Sequence, residues 1–324
     1  KLALVDITTA LLNDGKAGSR AAALQATLEA EQFNVLAQLT GTKVIHIAER
    51  DTQITNKPKE VNEFCNTWSV EGFYEEGIAP AELGWGTHEK WMPKNAHEHH
   101  DDGPRNQICI AQPGMETWVR SWVPSGQNLG MVIRHGESYT MCKHLTVKNA
   151  DGTDAYRPTV HYAYHPSDVA IDSVLELRMR NWKMQDRERI LNNEIISGRD
   201  ELGVLLMGHD YKSWWTGSLL DINQARSILP GQSATTLQVG GSVVAAVRWL
   251  LTYPTAGVCV PDDLPWRELL EWTSPYIGSI HSAAADWTPL SERFDPFPGF
   301  GNDDSLLDHS DPWQFVNFLS PTPR

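Results

Sequence analysis

Between Asn66 and Trp91 the chain reads NTWSVEGFYEEGIAPAELGWGTHEKW, a run that sets tryptophans among carboxylates around two glycine-rich bends. Trp68, Trp85 and Trp91 lie inside it, and Trp118 follows downstream. The acids are Glu71, Glu75, Glu76, Glu82 and Glu89, extended by Glu63 before the run and Glu98 after it. Large flat rings beside surplus negative charge suit a small organic cation. A ring face attracts an ammonium by about 0.5–2 kcal/mol, and an ammonium–carboxylate hydrogen bond adds roughly 1.5–3 kcal/mol. A turn-rich surface with packed tryptophans and solvated glutamates would be written with the same residues.

A second candidate lies upstream. Lys43–Ala48 (KVIHIA) reads as a short buried strand, and Glu49-Arg50-Asp51 follows at once. Charges at the carboxyl end of a buried strand are a common place for chemistry in open sheets, although a solvated strand exit looks the same. His97, His99 and His100 with Asp101 and Asp102 suggest a metal at first sight. They sit in tandem in a polar loop without a rigid scaffold, so no metal site is expected there.

The elements that must position these groups follow from periodicity. Residues 1–40 read as helical, interrupted by Asn13–Gly18. From Gln107 to Val147 the segments QICIA, TWVRSWV, LGMVIRH and ESYTMCKHLTV read as a meander of antiparallel strands. In HYAYH, alternation puts His161 and His165 on one face and Tyr162 and Tyr164 on the other. A helix is expected near Asp168–Arg178, and a strand at Val204–Met207 after the turn-like Gly198-Arg199-Asp200. Thr236–Thr252 reads as a strong, mostly buried helix, and the Pro-, Gly- and Asp-rich tail from Phe294 as a surface wrap. The fold class expected is α+β: a mixed, largely antiparallel sheet with flanking helices.

Composition narrows the partners. The 41 acidic side chains outnumber the 27 basic ones, giving a net charge of −14, which disfavours nucleic acid and modestly favours cations. The four cysteines are scattered without a CxxC pair, so neither a disulfide framework nor a structural zinc site is expected, and a reducing, cytoplasmic setting fits. No apolar run is read as a membrane span. Lys1 opens the chain, and residues 2–12 resemble the middle of an amphipathic helix more than a signal peptide. Neither GxGxxG after a strand, nor GxxxxGK[ST], nor GxSxG occurs, so no nucleotide fingerprint or hydrolase elbow is present.

IHIAERDTQ (Ile45–Gln53), the long run from Asn66 to Trp91, YRPTVHYAYHP (Tyr156–Pro166) and GRDELGVLLMGH (Gly198–His209) resemble bacterial homospermidine synthases, within the wider saccharopine-dehydrogenase-like group. The likeness runs to about Asp311. It implies NAD as a bound cofactor and putrescine and related diamines as substrates; a homodimer is expected, with the strand-rich middle as its candidate dimer sheet. The implied reaction oxidises a putrescine carbon to an imine with loss of ammonia. A second putrescine amine then attacks, and the new imine is reduced to sym-homospermidine. By the same resemblance Trp68 faces the substrate ammonium, Glu76 anchors an amine, and Glu49 positions the substrate and handles protons. His135 and Glu137, in RHGES, correspond to a pair near the pocket mouth that guides or deprotonates the incoming amine. Their spacing reads as one face of a strand, which also fits a surface pair. Which residues hold the cofactor stays open.

In that family a dinucleotide-binding half comes first, and its glycine fingerprint has no counterpart here. The expected organisation is a helical remnant at 1–40, a substrate-binding and dimerisation domain at 41–235, and C-terminal helices and tail at 236–324. Helices 2–12 and 236–252 should then show apolar faces meant for a nucleotide-binding domain. Two rival readings are a related dehydrogenase and a non-catalytic polyamine-binding protein. The dehydrogenase would clamp a substrate carboxylate with Arg50, Arg120, Arg134 or Arg157; the run from Trp68 to Glu76 argues instead for a substrate without carboxylates.

Overall fold

The computed structural model describes residues 1–98, 106–294 and 307–320. Ten described strands form one sheet: β1 (Val44–Asp51), β2 (Pro80–Gly84), β3 (Ala96–Glu98), β4 (Gln107–Pro113), β5 (Trp118–Val123), β6 (Gly126–Met131), β7 (Thr159–His165), β8 (Arg199–His209), β9 (Lys212–Asp221) and β10 (Ser279–Ala285). Their order is β10-β9-β8-β1-β7-β2-β4-β3, with β6 also pairing with β7 and carrying β5. Only β1 and β7 run parallel within it; the other pairings are antiparallel. A sheet covered on both faces needs apolar residues at successive positions, and VIHIAERD is buried or nearly so along its length.

Register decides what each face carries. Glu49 lies beside Tyr164 on β7, and Asp51 lies opposite Asp200 on β8. Ile45, Ile47, Glu49 and Asp51 therefore share one face with Tyr162 and Tyr164, and His46 and His161 share the other. One end of the first face is covered by α1 (Leu2–Asn13), α2 (Ala21–Glu29) and α3 (Phe33–Thr40), whose Leu4, Ile7, Leu24 and Leu36 pack on Ile45 and Val160. The other end is covered by α4 (Val70–Ile78), through Val70 and Phe73, and α6 (Asp168–Met179), through Ala170 and Val174. Site chemistry sits at this second end.

Four expectations are corrected. ESYTMCKHLTV opens as helix α5 (Glu137–His144) instead of a strand, burying Ser138 and Cys142 one turn apart. Gly84 makes room for it, since a Cβ there would lie 2.3 Å from that of Cys142. Helix α1 shows no apolar outer face: Ala3, Leu4, Ile7 and Leu11 are buried within the chain's own core. Helix α8 (Ala234–Thr252) is not mostly buried; Leu237, Gly241 and Ala245 face inward, while Val243, Leu250 and Leu251 are 55%, 57% and 78% exposed. By length and composition it is also apolar enough to cross a membrane, a test that the core helix of a soluble protein passes as well. Trp313, Phe315 and Phe318, in the tail expected to wrap the surface, are instead core residues packed beneath the His46–His161 face.

Candidate functional site

Strand β1 delivers Glu49 and Asp51 to one face two residues apart, or about 6–7 Å along the strand. Both are buried, and the Tyr162 hydroxyl donates a hydrogen bond to Glu49 Oε2. Burial pushes the Glu49 carboxyl up to about 7, against the pull of the Tyr162 hydroxyl and with the help of Asp51. Asp51 is heavily partnered. Oδ1 accepts from the backbone N–H and the side-chain Nε2 of Gln53 at 2.8 and 3.0 Å, and Oδ2 accepts from Thr67 Oγ1 at 2.5 Å and Thr235 Oγ1 at 3.4 Å. Burial still raises it above the ordinary aspartate value.

Trp68 enters from the turn before α4. Ser69 caps that helix, its Oγ accepting from Gly72 N at 2.9 Å. A Cβ on Gly72 would come within 3.2 Å of the indole, so glycine lets the ring lie against the helix. Trp68 Nε1 donates to Tyr164 Oη at 3.1 Å, and the ring tilts over Phe73 at 6.1 Å. Tyr164 and Tyr162 meet edge to face at 6.3 Å. Two tyrosines on one face of β7 thus connect the indole to Glu49.

Further out, His135 bridges two carboxylates. Its Nδ1 lies 2.9 Å from Glu137 Oε2 and its Nε2 3.2 Å from Glu76 Oε2. Its ring lies tilted on Tyr162, centroids 4.6 Å apart. These three side chains are 26%, 45% and 30% exposed, against 5% for Glu49 as a whole. Burial opposes a charge on His135, yet the hydrogen bonds it donates to Glu137 and Glu76 prevail and raise it to about 10. The same bond holds Glu137 below the usual carboxylate range. The unliganded mouth therefore holds an imidazolium between two carboxylates. His135 and Glu137 meet through the turn into α5, not as neighbours on one strand face as their spacing suggested.

The structure brings together Glu49, Glu76, His135, Glu137 and Trp68, the five residues singled out from the sequence. It also adds Asp51, Asp200, Tyr162 and Tyr164. The remainder of the tryptophan–glutamate run goes elsewhere. Trp85 is core on the opposite face, edge-on to Phe315 at 5.7 Å, and Trp91 is 57% exposed. Trp118 packs against the core near Met131. Glu82 pairs with Arg134 at 3.2 Å, Glu63 with Arg189 at 3.0 Å, and Glu89 accepts from Phe315 N at 2.9 Å. The candidate arginine clamp is engaged outside the site as well: Arg50 with Ser125, Arg120 with the carbonyls of Pro289 and Ser291, Arg157 with Trp85 O. Of the expected histidine–aspartate loop, His97 lies in β3, while His99, His100, Asp101 and Asp102 lie outside the described residues.

Comparison with known proteins follows the same lines. Residues 17–283 match the saccharopine dehydrogenase C-terminal domain family. The chain belongs to this family. It is 47% identical over 291 residues to a homospermidine synthase of Mesorhizobium japonicum and 48% identical over 291 residues to one of Blastochloris viridis. These matches cover 89% of the chain and 59% of each relative, so the chain spans about three-fifths of their length. A solved homospermidine synthase of Legionella pneumophila in complex with NAD superimposes with a TM-score of 0.86 at 38% identity, over 99% of this chain and 68% of that one.

Proposed function

We propose that this chain supplies the amine-binding part of a homospermidine synthase, which transfers an aminobutyl group between two putrescines and releases ammonia. The observation that carries the reading is the attachment of Trp68 and Glu49 to one tyrosine pair, with Glu76, His135 and Glu137 leading outward from it. An indole face and carboxylates at graded depth suit a flexible diamine. The relatives named above carry the same activity in their names.

Each residue then has a task. Trp68 holds its face toward the cationic carbon–nitrogen centre, its N–H anchored on Tyr164. Glu49, poised near 7, can accept and return a proton at its carboxyl oxygen under neutral conditions. His135 is cationic in the free site, so it keeps the mouth neutralised until an ammonium takes its place between Glu76 and Glu137. Once displaced, the imidazolium returns its proton to solvent and, as neutral imidazole, can accept the one that the arriving amine must lose to attack.

The NAD of this activity finds no cradle among the described residues. Strand β1 ends in Asp51, and β7 leads into α6, whose first turn carries Asp168. A carboxylate there opposes a pyrophosphate. The first N–H of α8, from Ala234, is already donated to Gln53 Oε1 at 2.8 Å. The contacts of the cofactor then fall to the portion of the relatives that this chain does not span. A cytoplasmic homodimer remains the setting of the proposal. Mass spectrometry of the products formed from putrescine as sole amine, by the chain joined to that portion, tests it. Homospermidine formation that falls at least tenfold in Trp68→Ala supports the reading, whereas an adduct carrying a carboxylate would replace it with the dehydrogenase alternative.

A further inference from the structure

Thr67, the residue before Trp68, is held more tightly than a connecting segment needs. It is fully buried, and its hydroxyl donates to Asp51 Oδ2. Its carbonyl belongs to the peptide that joins it to Trp68. That oxygen accepts two hydrogen bonds, from Ser233 Oγ at 2.6 Å and from Thr236 Oγ1 at 3.1 Å. A carbonyl oxygen has two lone pairs, so both are engaged. The peptide is planar, and fixing its oxygen fixes the backbone nitrogen from which Trp68 departs. Both donors come from the start of α8, 166 and 169 positions further along the chain.

The whole first turn of α8 reaches the same way. Ser233 caps the helix, its Oγ accepting from Thr236 N at 3.0 Å, and a helix start requires no more than this. Yet Ala234 N also donates to Gln53 Oε1 at 2.8 Å, and Gln53 Nε2 donates to Thr235 Oγ1 at 3.1 Å. Ser233, Thr235 and Gln53 are all buried, so these bonds are made away from solvent. On the far side of Trp68, Ser69 Oγ accepts from Gly72 N, and the Ser69 carbonyl accepts from Asn66 Nδ2 at 3.2 Å. The indole is therefore gripped through the peptide before it, through the residue after it, and at its own N–H by Tyr164. Of the three grips, the first is the one that α8 makes.

We infer that Ser233 and Thr236 are positioning residues for Trp68: by holding the Thr67 carbonyl they set the angle at which the indole face meets a bound amine. The inference rests on the diamine reading above, in which that ring faces the ammonium, and it goes further by assigning the ring's orientation to α8. Ring–cation attraction is directional, since the cation must lie over the face within about 6 Å of the ring centroid. A positioning group displaced by about 1 Å can cost about a hundredfold in rate. A clasp on the backbone sets the ring without placing a further side chain in the path of the ligand.

The test follows the indole N–H resonance of Trp68 in the 324-residue chain carrying nitrogen-15 tryptophan, the resonance being assigned as the one lost in Trp68→Phe. Titration calorimetry with 1,4-diaminobutane gives the affinity of the same samples. Thr236→Val removes one donor and spares the cap, because Ser233 Oγ still accepts from the backbone N–H of residue 236. It should shift the Trp68 resonance of the free chain and weaken the diamine by roughly threefold, the worth of one neutral hydrogen bond. Adding Ser233→Ala should bring the loss to roughly tenfold. Ser233→Thr alone, which keeps a hydroxyl, should leave both readouts close to those of the wild type. Other indole resonances that stay in place show that the fold is retained, and Thr236→Val decides alone if the double variant does not fold. A Trp68 resonance that does not move, or a diamine affinity equal to that of the wild type, would overturn the clasp and leave the diamine reading intact. A wild-type chain whose Trp68 resonance ignores 1,4-diaminobutane would overturn the diamine reading, and the clasp with it.

Discussion

Removing one oxygen atom, in Tyr162→Phe, isolates the interaction that keeps Glu49 near neutrality. The hydroxyl of Tyr162 donates to Glu49 Oε2 from a phenol that burial holds well above its ordinary value, so it stays a donor throughout the working pH range. A hydrogen bond to a buried carboxylate is worth about 1.5–3 kcal/mol, which at 1.36 kcal/mol per pKa unit is about one to two units. The hydroxyl favours the ionised acid, so its loss raises the Glu49 midpoint from about 7 by about one to two units. Phenylalanine keeps the ring that supports His135 at 4.6 Å, so the mouth should stay in place. Carbon-13 titration of labelled glutamate carboxyls reads the shift directly, and the acid limb of diamine affinity against pH should move with it. Tyr164→Phe is the control, because that hydroxyl serves Trp68 and makes no bond to Glu49. A midpoint that stays at about 7 in Tyr162→Phe, or moves down, refutes the assignment of this hydroxyl as the group that holds Glu49 down against burial.

Two further perturbations separate stability from function. Glu49 titrates at about 7 in the folded chain against an ordinary 4.5, so its ionisation costs folding about 3 kcal/mol above pH 7, and the cost vanishes as pH falls to the ordinary value. Glu49→Gln, which keeps an acceptor for Tyr162, should therefore gain about 3 kcal/mol in urea melts at pH 8 and almost nothing at pH 4.5. His135 shows the opposite sign: raised from 6.5 to about 10, it lends stability fully present below 6.5 and lost as pH rises through 10. His135→Gln should cost about 2 kcal/mol near neutrality. The gap should close above pH 10, and again in acid as pH falls through the lowered value of Glu137; thermal melts across that range check both limbs.

How much of this was legible depended on whether a pattern was local. The alternation in HYAYH correctly placed Tyr162 and Tyr164 on one face, because a period of two over five residues has one geometric solution. The five site residues came from motifs matched in register, which carry position without geometry. What failed was everything that needed a partner far along the chain. Asp200 looked like part of a turn after Gly198, and only its pairing with Asp51, 149 positions earlier, makes it a buried acid. The tryptophan–glutamate run looked like one surface because its residues are adjacent. The chain leaves β2 at Gly84 and turns at Thr87 and His88, and Trp85 and Glu89 meet Phe315 on the opposite side of the sheet. The strand reading of ESYTMCKHLTV failed because one-turn burial of Ser138 and Cys142 leaves no apolar signature to set against two-residue alternation.

Among the described residues no lysine or arginine pairs with Glu49, Asp51 or Asp200, and on the proposed reading that is what would let the site choose amines. A buried acid cluster can be neutralised by fixed cations, by protons or by a ligand, and fixed cations would be hard to displace. His135 is the cation at the mouth, and further in burial raises Glu49, Asp51 and Asp200 alike, which favours their protonated forms. An arriving ammonium can exchange for an imidazolium proton at the mouth and for a carboxyl proton inside, with little change in total charge at either depth. Such an exchange lowers the electrostatic cost of burying a dication in a low-dielectric site. A substrate bearing a carboxylate gains nothing from it, because among the described residues no lysine or arginine pairs with the inner acids to receive the negative end. Diamine affinity should accordingly rise with pH while the amine stays protonated, and fall once the amine itself becomes neutral. Affinity that is flat across that interval would mean that the acids are already ionised in the free chain, and the exchange argument would fail at its first step.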